Sequence, residues 1–142
     1  MRNRHSAPMR LGASLLFATL WSVSADAEGA YLFDILKAPT FHKAYVTLMA
    51  REKHLPSWLH EITSKGNFVA TPETDLSIGG IDYRLFHACK AHDCAGHELE
   101  VMFSADGSRA FALLIDSGKP PRWLGHPDPQ QQAALRKAMQ HD

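Results

Sequence analysis

Cysteine is scarce in this chain, with two residues among 142, at positions 89 and 94. So few cysteines exclude a disulfide-rich scaffold, and the four residues between them exclude the C-x-x-C redox motif. An excess of basic charge is also missing, because 15 Lys and Arg residues balance 15 Asp and Glu residues. Domains that bind nucleic acid usually carry a basic excess, so we expect no nucleic-acid partner.

No apolar stretch is long enough to cross a bilayer comfortably. The stretch over residues 11–23 has 13 residues, whereas a membrane-spanning helix needs about 20. It follows three arginines and precedes the small residues Ala25 and Ala27, an order that is typical of a secretory signal peptide. We predict a signal peptide over residues 1–27, a mature domain over residues 28–142, a periplasmic location and no membrane attachment after cleavage. The alternative is an uncleaved anchor.

The two cysteines of an exported protein would meet an oxidising compartment, where a disulfide is the default. The ring closed by Cys89 and Cys94 is short. By the chain-entropy argument, such a bridge stabilises the whole fold by only about 2 kcal/mol. We therefore expect this disulfide to act mainly on the shape of the loop that it closes.

The spacing of apolar residues predicts a helix at each end of the mature chain. Apolar side chains recur at helical spacing over residues 39–53, and Pro39 suits a first helical turn. One more short helical turn is expected over residues 57–62. Asp128, a helix-capping residue type that is followed by proline, predicts the start of a C-terminal helix.

Between these helices the hydrophobic period changes to two, which is typical of strands. Apolar and polar residues alternate over residues 76–86, 98–104 and 109–115, and Trp123–Leu124 is a further short strand candidate. Gly79–Gly80 and Asp106–Gly107 mark turns between strands. The sequence therefore predicts a single α+β domain, in which an antiparallel β-sheet of about five strands is flanked by helices.

Three histidines lie close to the two cysteines, in the stretch of residues 87–97. This stretch should project from one end of the sheet because it lies between two predicted strands. One interpretation is a metal site formed by His87, His92 and His97, although this spacing fits zinc sites only loosely and a disulfide would consume the thiols. A second is a stapled surface turn without a partner. A third is a rigid recognition loop, which presents polar groups at low ordering cost.

Catalysis is the weakest interpretation. Glu98 and Glu100 share one face of a predicted strand, with His97 on the other. Paired carboxylates serve in glycoside hydrolysis, but alternating carboxylates usually form the solvent face of a strand. No Ser-His-Asp order or glycine-rich phosphate loop stands out. We therefore expect a protein that is not an enzyme and that has no cofactor.

The hexapeptide of residues 89–94 resembles the hallmark of the inhibitor of vertebrate lysozyme (Ivy) family, a loop of the form C-K-P-H-D-C. Five of the six positions match, in the order Cys89-Lys90-Ala91-His92-Asp93-Cys94. Residues 55–58, 101–104 and 123–125 are also similar to the family's sequences. The resemblance runs over most of the chain from about Phe33 onward, and it implies a periplasmic protein with an antiparallel sheet flanked by helices.

The resemblance also implies a partner and a binding site. The family's loop enters the active-site cleft of C-type lysozyme, and its histidine, here His92, bonds the catalytic carboxylates of the enzyme. Lys90, Ala91 and Asp93 occupy the other matching loop positions and complete the predicted partner-binding set. Because imidazole titrates near neutrality, the interaction is expected to depend on pH.

Ala91 departs from the family pattern, which has proline at this position. Loss of a proline costs about 0.4–1 kcal/mol of preorganisation, which is about two- to fivefold in affinity. We expect the loop shape to survive, whereas potency and preferred target stay open. Endogenous murein lytic transglycosylases are an alternative partner, and a histidine-rich metal-binding protein is an alternative of a different class. The sequence also leaves homodimer formation open.

Overall fold

The structure is a computed structural model that describes residues 29–64 and 66–140. The predicted signal peptide over residues 1–27 lies outside the described residues. Helices of the described part are α1 (Leu32–Ile35), α2 (Pro39–Ala50), α3 (Trp58–Glu61) and α4 (Pro129–Met139). Its strands are β1 (Phe68–Ala70), β2 (Thr74–Ile78), β3 (Ile81–Lys90), β4 (His97–Ser104), β5 (Ala110–Asp116) and β6 (Arg122–Leu124). None of these helices has the length and apolar character that a membrane span requires.

All six strands form one antiparallel sheet, which confirms the predicted α+β class. The strand order is β1-β3-β4-β5-β6, and β2 also pairs with β3. Because β2 pairs with residues 81–85 and β1 with residues 88–90, the two short strands lie end to end along one edge of β3. The sequence did not predict β1, since its three residues are too few to display a period of two.

The hairpin between β2 and β3 turns at the two glycines that the sequence singled out. Gly79 and Gly80 have φ values of 59° and 79°. A two-residue hairpin turn of type I′ needs positive φ at both central positions, which glycine adopts without steric cost. This turn fixes the register of the long strand β3.

One face of the sheet packs against α1, α2 and α3 in a core rich in aromatic residues. The ring of Phe103 on β4 makes edge-on contacts with Phe41 of α2 and with Phe86 of β3, at centroid distances of 5.3 and 5.9 Å. Tyr45 is buried in the same core, and its hydroxyl donates to the carbonyl oxygen of Leu59. The predicted helix over residues 39–53 is therefore confirmed, although it ends at Ala50.

The opposite face of the sheet is covered by α4. Asp128 caps this helix, because its side chain accepts from the backbone N–H groups of Gln130 and Gln131. The Gln131 side chain donates in turn to the Tyr83 hydroxyl at 3.1 Å, and Leu135 is fully buried against the strands. With both faces covered, β4 is buried over six consecutive residues, 99–104, instead of alternating between core and solvent.

Candidate functional site: the disulfide-closed loop

The candidate site is the loop that joins the two central strands. β3 and β4 stay in register up to Cys89, which stands opposite Glu98. Cys89 and Cys94 form a disulfide with a Cα–Cα distance of 4.9 Å, so the bridge closes the loop at the point where the strand pairing ends. A rigid sheet and a covalent ring together position the residues between the cysteines.

The tip of the loop is a tight turn with His92 at its outermost part. The backbone N–H of Asp93 donates to the carbonyl oxygen of Lys90 at 3.1 Å. His92, the second central residue of this turn, has φ of 65° and an exposed side chain. Positive φ at this position alone is the pattern of a type II turn. The turn therefore presents the His92 imidazole to solvent.

Ala91 is the first central residue of the turn, the position that proline favours in type II turns. Its backbone N–H donates to the carbonyl oxygen of Asn67 at 3.4 Å. A proline has no N–H and could not make this bond. At this position the chain therefore has a hydrogen bond to the segment before β1 in place of the conformational restraint of a proline ring.

The two charged residues of the loop contact each other near its base. Lys90 Nζ lies 3.7 Å from Asp93 Oδ2, and the side chains are 43% and 49% exposed. The same Asp93 oxygen lies 3.1 Å from Nε2 of His97, the first residue of β4. The Asp93 carboxylate therefore lies against the first residue of β4, whereas the His92 side chain is exposed.

His97 also contacts a second carboxylate. Its Nδ1 lies 2.9 Å from Oδ1 of Asp116, which stands opposite His97 on β5. This is a close polar contact and not a hydrogen bond, since the buried Nδ1 has no acceptor aligned for one. A hydrogen bond from Lys119 to Asp116 is the main cause that lowers the pKa of the Asp116 carboxyl, with the His97 contact as a smaller cause.

A second histidine–carboxylate pair lies inside the domain. His87 Nδ1 is 3.2 Å from Glu100 Oε2, and the side chains are 9% and 2% exposed. Both line a pocket of about 300 Å³ beside Lys137 of α4. The expectation that Glu100 lies on a solvent face is therefore wrong, because α4 covers that face. The predicted amphipathic C-terminal helix was the available signal, since its apolar side needs a sheet face to pack on.

The structure does not bring the three histidines of the stretch together. His87 and His97 lie on opposite faces of the sheet, His92 is exposed at the loop tip, and both cysteines are in the disulfide. Across residues 29–64 and 66–140, no three His, Cys, Asp or Glu side chains are grouped so that they could hold a metal ion. The described geometry thus lends no support to the metal-site interpretation.

Comparison with known proteins adds relatives to this geometry. A family model described as Inhibitor of vertebrate lysozyme (Ivy) matches residues 42–141, which include the loop and all six strands. The chain is 29% identical to an Inhibitor of vertebrate lysozyme from Pseudomonas aeruginosa, over 93% of each chain. It is 31% identical to an uncharacterized protein of that organism, over 100% of this chain and 96% of the relative. The Escherichia coli K12 Inhibitor of vertebrate lysozyme is 28% identical, over 72% of this chain and 59% of its own.

Proposed function

Because this chain belongs to the inhibitor of vertebrate lysozyme family, we propose that it inhibits C-type lysozyme by inserting the disulfide-closed loop into the active-site cleft. The single observation that carries the proposal is the exposed imidazole of His92 at the tip of a turn closed by Cys89 and Cys94. Two relatives that carry the name Inhibitor of vertebrate lysozyme support the choice of target.

The chemistry of the target suits an imidazole. A lysozyme cleft holds two carboxyl groups in different protonation states. One nitrogen of a neutral imidazole donates and the other accepts, and both donate when the ring is charged. His92 would therefore find partners on the two acids in either state. A side chain of the inhibitor has no glycosidic bond, so the enzyme's reaction has nothing to cleave.

Rigidity supports the same proposal. Binding a flexible loop costs free energy because its side chains and backbone must be ordered. Here the turn at Lys90–Asp93 is closed by a backbone hydrogen bond and by the disulfide before any partner arrives. We place the protein in the periplasm and assign it no catalytic activity. A disulfide persists in that oxidising compartment, and the relatives are named as inhibitors.

The test is lysozyme inhibition by the wild type and by His92→Ala. Removal of a binding hot spot costs about 2 kcal/mol or more, so His92→Ala should weaken inhibition at least about 30-fold. The matched control is His42→Ala, since His42 is exposed on α2. Its neighbour Phe41 packs against Gly107, in the β4–β5 turn at the opposite end of the sheet from the loop. Removing the disulfide with Cys89→Ser and Cys94→Ser should also weaken inhibition.

The outcomes separate the alternatives. Intact lysozyme activity at micromolar wild-type protein would refute the proposal. Recovery of endogenous lytic transglycosylases from periplasm by the same protein would then identify those enzymes as the target. Equal inhibition by the wild type and by His92→Ala would keep the partner but assign the contact to another surface.

A further inference from the structure

We infer that His97 is a positioning residue for the inhibitory loop, because it links Asp93 of the loop to Asp116 at the end of the sheet. This inference rests on the proposed function for its effect on lysozyme, but its structural part concerns the free protein. His97 lies outside the hexapeptide, and its imidazole contacts both a loop carboxylate and a carboxylate of the sheet.

The geometry around the ring is specific. Nε2 lies 3.1 Å from Asp93 and Nδ1 lies 2.9 Å from Asp116, so each ring nitrogen faces a carboxylate oxygen. A neutral imidazole has one N–H and one lone pair. Nε2 lies within reach of the loop carboxylate, whereas Nδ1 is a close polar contact of Asp116 without an aligned hydrogen bond.

Each of the two carboxylates that contact His97 also contacts a lysine. Lys90, at the end of β3, has its Nζ 3.7 Å from the Asp93 carboxylate. Lys119, in the segment after β5, donates to the Asp116 carboxylate at 2.5 Å. These are the four charged groups that contact His97 directly or through its carboxylates in the described part of the chain. The His97 ring therefore lies between two carboxylate–lysine pairs, one at the loop and one at the end of the sheet.

The consequence for the loop follows from Asp93. Its backbone N–H closes the turn that presents His92, and its side chain is held by His97. We therefore expect the turn to be held more firmly when the His97 ring is present. Preorganisation, and with it lysozyme affinity, should depend on that ring.

The first experiment uses the free protein, so that it does not depend on lysozyme. Amide hydrogen exchange at Asp93 is measured by NMR at pH 5.5 in the wild type, His97→Gln and His42→Gln. Exchange should be several-fold faster in His97→Gln and unchanged in the His42→Gln control. Equal exchange in all three proteins would overturn the inference, whether or not the protein inhibits lysozyme.

The second experiment measures lysozyme affinity for the wild type, His97→Gln, Asp93→Asn and the double variant. A contact as exposed as the one between Asp93 and His97 contributes up to about 1 kcal/mol, so His97→Gln should bind about three- to fivefold more weakly. His92 is common to all four proteins, so its contribution cancels in the ratio.

The double variant separates a positioning role from a general structural one. If His97 acts through Asp93, the double variant should bind about as well as Asp93→Asn alone. Fully additive losses would overturn the inference. If the wild type does not bind lysozyme, the proposed function fails, and the exchange measurement still decides on the role of His97.

Discussion

The sheet contains two histidine–carboxylate pairs that stand directly opposite each other on neighbouring strands, and they differ in what covers them. His87 and Glu100 pair between β3 and β4 under α4, where their side chains are 9% and 2% exposed. His97 and Asp116 pair between β4 and β5 at the end of the sheet, where their side chains are 18% and 9% exposed. An imidazole and a carboxylate thus lie inside the domain in one case and at the base of the loop in the other.

The difference arises from one reversal of the chain. His87 and His97 are ten positions apart in sequence. The loop between them places them on neighbouring strands, with their two side chains on opposite faces of the sheet. A buried polar pair is costly to break because its members lose water as well as each other. A pair at the loop base is partly hydrated, so its loss costs less stability. The loss should instead affect the position of the residues that the pair contacts.

Glu100→Ala should have the largest effect on stability. It removes the carboxylate that contacts His87 and leaves a space under α4, so the free energy of unfolding should fall by about 2–4 kcal/mol. Urea unfolding at pH 7 measures this loss. The matched control is Glu98→Ala, because Glu98 lies on the same face of β4 but is partly exposed, and it should change stability by less than about 0.5 kcal/mol. Equal effects of the two variants would remove the contrast between the pairs.

Asp116→Asn should have a smaller effect, and one that depends on pH. The hydrogen bond from Lys119, with a smaller contribution from His97, lowers the pKa of Asp116 in the folded state. The unfolded state therefore takes up the proton first, so the ionised carboxyl contributes stability above its ordinary pKa of about 3.9. That contribution is lost as pH falls through the lowered value.

The measurement is urea unfolding of the wild type and Asp116→Asn from pH 7 to pH 2. We expect a difference of about 1 kcal/mol at pH 7 that shrinks below about pH 4. A difference that persists at pH 2 would contradict the electrostatic assignment. Ser117→Ala, at the neighbouring exposed position, serves as the control and should show no such pH dependence.

Sequence patterns predicted the parts of this molecule whose cause is local. Asp128 and Pro39 mark helix starts because capping and proline geometry depend on a few neighbouring residues. The disulfide also joins the two cysteines that the sequence predicted. The burial of Glu100 was not predictable by alternation alone, because it depends on where α4 packs, and α4 begins about thirty residues later in the chain.

The contact between His97 and Asp116 was hidden for a related reason. It depends on the register of β4 with β5, which the turn between them and the packing of both faces decide together. The sequence singled out His97 only for its spacing from His87 and His92. Its link to the loop through Asp93 became visible once the strand ends had positions in space.

Ala91→Pro should have the smallest effect, and it asks whether the loop is held from its tip or from its base. Proline suits the first central position of the turn, and its restraint would add about 0.4–1 kcal/mol. The same change removes the N–H that donates to Asn67 at 3.4 Å, which costs about 0.5–1.5 kcal/mol. Because the two terms nearly cancel, urea unfolding should show a change within about 0.5 kcal/mol, and lysozyme affinity should change by less than about threefold.

Ala91→Gly is the control, since it keeps the N–H and loosens the turn, and it should weaken binding. A gain well above threefold for the proline variant would mean that the bond to Asn67 contributes little and that the tip governs the shape of the loop.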